Sequence, residues 1–233
     1  MPSASAPGAC VAAVALAQET GAALAWVPRR AGERGALDAG ALAGLLPGGR
    51  PIDDPLARQQ SADAWGVDPS SLPQRGLSGD ALLASLRSAA RRAALVGGVE
   101  AADYPDDLIA SLGGVDFVVS IENHHSAVTG IADVVLPVAV VSEKAGTFLD
   151  WEGRPRPFGQ VFRDAMRDSD AAVLAMLAEQ WQMSAPSSVS ELRSELGRMG
   201  PWTGPRESFA PVATTHSPGT GIRLATWRQL LDL

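Results

Sequence analysis

The sequence predicts an α/β fold: a mostly parallel sheet with flanking helices. Three short apolar runs, Ala93–Val96, Val115–Ile121 and Ala132–Pro137, are nearly continuous rather than alternating, the pattern of strands buried on both faces. Around them lie stretches with apolar residues at helical spacing, and strands that alternate with helices imply parallel neighbours joined by crossovers.

Taken in order, residues 1–8 are small, polar and Pro-containing, which suits a frayed end. The apolar run Ala9–Ala17 ends in Ala15-Leu16-Ala17, which imitates a signal-peptidase site, but no Lys or Arg precedes it and a secretory leader needs that positive start. The run reads instead as a helix over Ala9–Glu19 that feeds a strand at Ala22–Val27. Gly35–Leu46 carries a helical pattern in Leu37, Ala41 and Leu45 and stops at Pro47-Gly48-Gly49, a strong breaker. Residues 47–77 form a Pro-rich excursion, with Arg50-Pro51, Asp54-Pro55, Asp68-Pro69 and Leu72-Pro73 allowing at most one short helix, near Leu56–Trp65.

Ser78 then stands as an N-cap with Asp80 in the first turn, opening a helix to about Arg92 whose stripe is Leu82, Leu83, Leu86, Ala89 and Ala90. The strand Ala93–Val96 ends in Gly97-Gly98, and a helix near Asp106–Leu112 separates it from the next. Glu143–Phe158 lacks helical periodicity and is rich in Gly, Pro, Arg and aromatics, so it reads as turns and short strands. Asp168 or Ser169 caps a helix to about Gln182. Ser188-Val189-Ser190-Glu191 is a capping box for a helix that ends in the Gly197–Pro201 breakers. Residues 201–221 read as a linker. Ile222–Leu233 has helical spacing in Leu224, Trp227, Leu230 and Leu231 and is expected to begin a segment cut short. The expected organisation is thus a frayed end over 1–8, one α/β region over 9–200, and a linker with the start of a further segment over 201–233.

Composition narrows the function. The chain has 233 residues, 46% hydrophobic and 19% charged, enough to bury a core without disulfides. Its net charge of −7 argues against nucleic acid and anionic membrane surfaces, which are bound by clustered Lys and Arg. The apolar stretch Gly130–Val141 contains Asp133 and Pro137 and is too short to cross a bilayer. With one cysteine, Cys10, the chain cannot by itself hold an iron–sulfur cluster or a Cys-rich zinc site.

Familiar catalytic motifs are missing: there is no Gly-x-x-x-x-Gly-Lys-Ser/Thr, no Gly-x-Gly-x-x-Gly after a strand and no Gly-x-Ser-x-Gly. Gly97 and Gly98 follow a strand and could turn backbone amides toward a phosphate, although a plain tight turn accounts for them better. His124 and His125 are neighbours that point apart in extended chain, and Glu122 with His124 supplies only two of the three or four ligands zinc needs, so no metal is expected. His216 lies in the linker. Asp53-Asp54 and Asp106-Asp107 sit beside prolines and suit turns or helix starts. Glu143 and Lys144 stand at a strand exit, where α/β folds place ligand groups. They could contact a ligand, though a salt-bridged turn is the simpler reading. Lys144 is the single lysine of the chain.

One combination is specific. Leu95-Val96-Gly97-Gly98-Val99-Glu100 is followed by Phe117-Val118-Val119-Ser120, Ala132-Asp133-Val134-Val135-Leu136-Pro137, Glu143-Lys144-Ala145-Gly146-Thr147-Phe148 and Glu152-Gly153-Arg154. In that order and spacing the segment resembles the molybdopterin oxidoreductase superfamily, which includes formate dehydrogenases and dimethyl sulfoxide reductases. Within it, three further passages resemble the actinobacterial type of the G-subunit family of bacterial NADH:quinone oxidoreductases, respiratory complex I. They are Ala25–Ala36, His125-Ser126-Ala127-Val128-Thr129 and Trp151–Phe158.

The resemblance implies Rossmann-like middle domains of that superfamily, in a portion that lacks the Cys-rich iron–sulfur part and the C-terminal barrel. It also implies as partners the remainder of the subunit and other peripheral-arm subunits, with a location at the cytoplasmic face of the plasma membrane through the complex, without direct membrane insertion. The family departures are informative. Cofactor-binding members carry Gly-x-Asn-Pro where this chain has Gly97-Gly98-Val99-Glu100-Ala101, and Thr-Glu-Thr where it has Ser126-Ala127-Val128. They often have Asn where Asp150 stands. Two polar groups are lost and a carboxylate is added where a diphosphate would lie, and like charge there is unfavourable. The implied role is a non-catalytic structural portion without a cofactor of its own. The alternative is a fragment that still binds molybdopterin guanine dinucleotide through Gly97, Gly98, Ser126, Thr129, Lys144, Gly146 and Thr147.

Overall fold

Three parallel strands form the central sheet, Ala93–Gly97, Phe117–Glu122 and Val134–Pro137, side by side in that order. The computed structural model describes residues 9–28, 32–101, 108–164 and 166–206. The elements are α1 (Ala9–Thr20), α2 (Glu33–Asp38), β1 (Leu45–Leu46), β2 (Arg50–Pro51), α3 (Pro55–Trp65), α4 (Gly79–Arg87), β3 (Ala93–Gly97), α5 (Leu108–Leu112), β4 (Phe117–Glu122), β5 (Val134–Pro137), β6 (Gly146–Leu149), β7 (Pro155–Phe158), α6 (Asp170–Gln180) and α7 (Val189–Met199). The chain divides into two units, residues 1–27 with 208–233, and residues 28–207. Of the first, α1 and the segment to Val27 are described. The expected strand at Ala22–Val27 is not formed; an apolar run makes a strand only where another strand offers it a ladder.

In the larger unit the parallel register is unbroken: Leu95 pairs with Val119 and Val119 with Val134, while Gly97 pairs with Ile121 and Ile121 with Leu136. Paired residues share a face, so the sheet has two distinct sides. On one, Ala94 and Val96 pack with Leu83 and Leu86 of α4, Leu108 and Leu112 of α5, and Val128. On the other, Ile121 and Leu136 meet Val138 and Val173 of α6, but only toward the carboxyl end of the strands. The expectation of a sheet covered on both faces is therefore met on one side over β3 and β4, where Val135 of the outer strand is still 42% exposed, and only partly on the other.

Helix lengths differ from the sequence reading for local reasons. The helix expected over Gly35–Leu46 is only α2, because Gly40 turns at φ +78° with the Leu46–Pro47 backbone packed where a Cβ would stand, and Leu45–Leu46 pair with Arg50–Pro51 instead. The helix expected to reach Arg92 stops at Arg87, followed by Ala89 at φ +53°. Leu82, Ala89 and Ala90 of its expected stripe are exposed, and Ser78 makes no side-chain cap. Asp54 and Ser169 do cap α3 and α6, and the capping box at Ser188 and Glu191 is formed in both directions. Asp106 and Asp107, His216, residues 1–8 and the stretch Ile222–Leu233 lie outside the described residues.

The Pro-rich excursion is organised by two arginines. Arg50, fully buried, donates from Nε to Gln60 Oε1 (3.0 Å), from Nη1 to the Pro47 carbonyl (3.0 Å), and from Nη2 to the carbonyls of Met199 (2.6 Å) and Gly200 (3.0 Å). It also lies over the Trp202 ring. It thereby satisfies carbonyls at the end of α7, which a helix cannot satisfy internally. Loss of hydration lowers its pKa. Arg58 holds the carbonyls of Ile52, Pro69, Leu72 and Pro73, replacing the ladder bonds that prolines deny this stretch.

Candidate functional site

The carboxyl ends of parallel strands are where α/β folds present ligand groups, and the candidates fall into two clusters about them. The first stands on β3 and β4. Gly97 packs against Ile121, and the Gly98 amide extends the ladder to the Ile121 carbonyl at 3.2 Å with φ +60°. A Cβ added at Gly98 meets nothing within 4 Å, so the turn is open above. At the end of β4 the Glu122 side chain is only 6% exposed; its Oε1 accepts from the Asn123 amide (3.0 Å) and lies 3.6 Å from Nδ1 of the exposed His124. Ser126 and Thr129 close on each other: the Ser126 amide donates to Thr129 Oγ1 (2.8 Å), the Thr129 amide to Ser126 Oγ (3.2 Å), and Thr129 Oγ1 to the Ser126 carbonyl (2.9 Å).

The second cluster is the β6–β7 hairpin. Lys144 forms an ion pair with Asp170 in the first turn of α6, so its cation is neutralised there and not by its neighbour Glu143. The Thr147 hydroxyl accepts from Arg193 Nε of α7 (2.9 Å), and the Gly146 carbonyl accepts from the same guanidinium (3.4 Å). Gly146 has no room for a methyl group beside the Phe158 ring, which stacks on Phe148 with centroids 5.1 Å apart. Asp150 holds the hairpin turn. Its Oδ1 accepts from the amides of Glu152 (3.0 Å) and Arg154 (2.9 Å), and its Oδ2 from Arg156 (2.8 Å). These bonds, the Arg154 amide first, keep its carboxyl below the usual aspartate range. The departure from Asn at this position thus gains a charged partner in Arg156.

A cleft of about 370 Å³ opens beside this hairpin, lined among others by Glu143, Lys144, Arg163, Arg167, Ser169 and Ser188. Of the seven candidate residues only Lys144 lines it. The capped starts of α6 and α7 face it, but the Ala172 amide is already taken by Ser169, and the Ser187 and Ser188 amides by Glu191. The partners that occupy the candidate groups, Asp170 and Arg193, were not singled out from sequence. The signal for Asp170 was present, as an acid in the first turn of a capped helix, whereas nothing in the sequence ties Arg193 to Thr147. Among the described residues no three His, Cys, Asp or Glu side chains gather where a metal could bind, and no helix is long and apolar enough to cross a membrane.

The "Molybdopterin oxidoreductase" family model matches residues 81–168, the span from α4 through the parallel sheet and hairpin to the cleft. The G subunit of the NADH-quinone oxidoreductase of Mycobacterium bovis is 46% identical over 97% of this chain and 29% of its own length. Residues 81–168 belong to the molybdopterin oxidoreductase family. The Streptomyces coelicolor G subunit is similar at 44% identity over 98% of the chain and 28% of its own length, and a Bacillus subtilis protein with a formate dehydrogenase-type name is more distant, at 31% over 72% of the chain. The chain spans less than a third of the length of these relatives.

The likeness to molybdopterin oxidoreductases implies a pterin dinucleotide, and the seven candidate residues do not fit it. A diphosphate needs unengaged donors and cations. Here Ser126 and Thr129 satisfy each other, Lys144 is paired with Asp170, and Thr147 receives Arg193.

Proposed function

We propose that this chain is a non-catalytic structural portion of the large, cluster-bearing subunit of an NADH-quinone oxidoreductase, supporting electron transfer from NADH to quinone without carrying electrons itself. The observation that carries this reading is the 46% identity to the Mycobacterium bovis G subunit over 97% of the chain, in company with candidate cofactor groups spent on internal bonds. A chain with one cysteine offers no ligand set for an iron–sulfur cluster, so electrons pass through other parts of the subunit. Its partners are the remainder of that subunit and other peripheral-arm subunits, and its place is the cytoplasmic face of the membrane through the complex. The motif Glu143–Thr147 acts as a clasp, binding the hairpin to α6 through Lys144 and to α7 through Thr147.

Metal analysis and fluorescence of oxidised pterin on the purified chain test this. The expected result is molybdenum and pterin well below one per chain. A stoichiometric content of either would falsify the structural reading. It would favour the second reading, a molybdopterin-binding enzyme fragment, which draws on the 31% identity to the formate dehydrogenase-type protein.

A further inference from the structure

The parallel sheet has an apolar side that the described residues leave open. Leu95, Phe117 and Val134 are 55%, 44% and 38% exposed. Leu95 lies in register with Val119 and Val134, and Phe117 with Ala93, so the side chains form one continuous patch without a charged residue. Toward the carboxyl end, the same face is already roofed by Val173 of α6 against Ile121 and Leu136. At the amino-terminal rim, Arg92 and Asp116 neutralise each other at 2.8 Å.

Sheets of parallel strands are normally roofed by helices on both sides, because an apolar strand face left in water forgoes its burial energy. Across β3, β4 and β5 the patch is two strand spacings wide, about 10 Å, the width of a single helix. The curated relatives extend over more than three times the length matched by this chain, so ample subunit lies outside it. We infer that the face formed by Leu95, Phe117 and Val134 is the docking surface for a helix from the rest of a full-length subunit, lying beside α6 and meeting the sheet with an uncharged apolar side. This rests on the reading of the chain as a portion of a subunit of the G type.

Cysteine accessibility tests it. Leu95→Cys and Val134→Cys, each with Cys10→Ser, are labelled with a maleimide in the 233-residue chain and in a Streptomyces coelicolor G subunit whose matching segment is replaced by this chain, and the adduct is counted at the introduced residue by peptide mass spectrometry, so that thiols elsewhere in the subunit do not enter. Labelling is expected to be fast in the chain and at least about tenfold slower in the subunit, since a docked helix must open locally first. Equal rates, or slow labelling already in the chain alone, overturn the inference. A second measurement needs no graft. Leu95→Lys with Val134→Lys in the 233-residue chain is expected to leave the melting temperature within about 2 °C of the parent, as for exposed positions. A larger fall means the face is already buried and also overturns it. Neither readout depends on cofactor content, so a molybdenum-loaded chain would sink the structural reading while leaving the docking face to be judged by labelling.

Discussion

The guanidinium of Arg50 is buried without a carboxylate, and four oxygens share its charge. Removing it strands the carbonyls of Pro47, Met199 and Gly200. Arg50→Met is therefore expected to cost about 3 kcal/mol in a urea unfolding curve, within the range for charged hydrogen bonds plus orphaned acceptors. Arg50→Lys should recover only part, because an ammonium lacks the planar fork that reaches several acceptors at once. Gly146→Ala tests packing in the same way. A methyl group there drives into the Phe158 ring, and overpacking of this kind costs about 1–3 kcal/mol. Acid should act on three carboxyls, among them Asp68, which is lowered chiefly by the Ser70 hydroxyl. Asp150 is lowered chiefly by the Arg154 amide, and Glu191 chiefly by the amides of Ser187 and Ser188. A carboxyl with a lowered pKa in the folded state stabilises fully above its unfolded pKa, and that contribution is lost as pH falls through the folded value. Melting temperature should therefore drop on acidification below the ordinary carboxylate range. The acid limb should be shallower in Asp150→Asn and in Glu191→Gln. An unchanged limb in both variants would show that these bonds carry no linkage.

At the scale of elements, the sheet and its two sides make opposite predictions for similar leucines. Leu112 is 1% exposed within the core against α4, and Leu112→Ala should cost about 3 kcal/mol, transfer and cavity terms together. Leu95→Ala, on the open face, should cost under about 1 kcal/mol in the same denaturation experiment. Such strands were readable from sequence because a continuous apolar run puts apolar side chains on both faces of a strand, and β3, β4 and β5 fall within the runs that predicted them or within two residues of their ends. The capping box at Ser188 was equally plain, since its bonds are local. Helix ends without a side-chain cap were not. Nothing in the stripe Leu37, Ala41, Leu45 marks Gly40 as the point where the Leu46 backbone crosses, so α2 stops early. The Pro-rich excursion read as irregular because its hydrogen bonds come from Arg50 and Arg58 across the fold, and no local pattern announces such bonds.

For the molecule as a whole, the proposed role predicts indifference to nucleotides. A ligand at a hundred times its dissociation constant would add about 2.7 kcal/mol to stability. Thermal melts with a panel of guanine and adenine nucleotides should show no such gain, and a clear upward shift with any of them would point to a retained binding crevice. The sequence by itself determined the α/β class, the order of the parallel strands' motifs and the likeness of residues 81–168 to the molybdopterin oxidoreductase family, because these depend on apolar periodicity and on residues adjacent in the chain. Only the tertiary structure decided which groups remain available. Lys144 meets Asp170, Thr147 meets Arg193, and one side of the sheet stays open. Each of these is a contact, or a missing contact, between segments far apart in sequence, and its energy depends on where the folded backbone brings them.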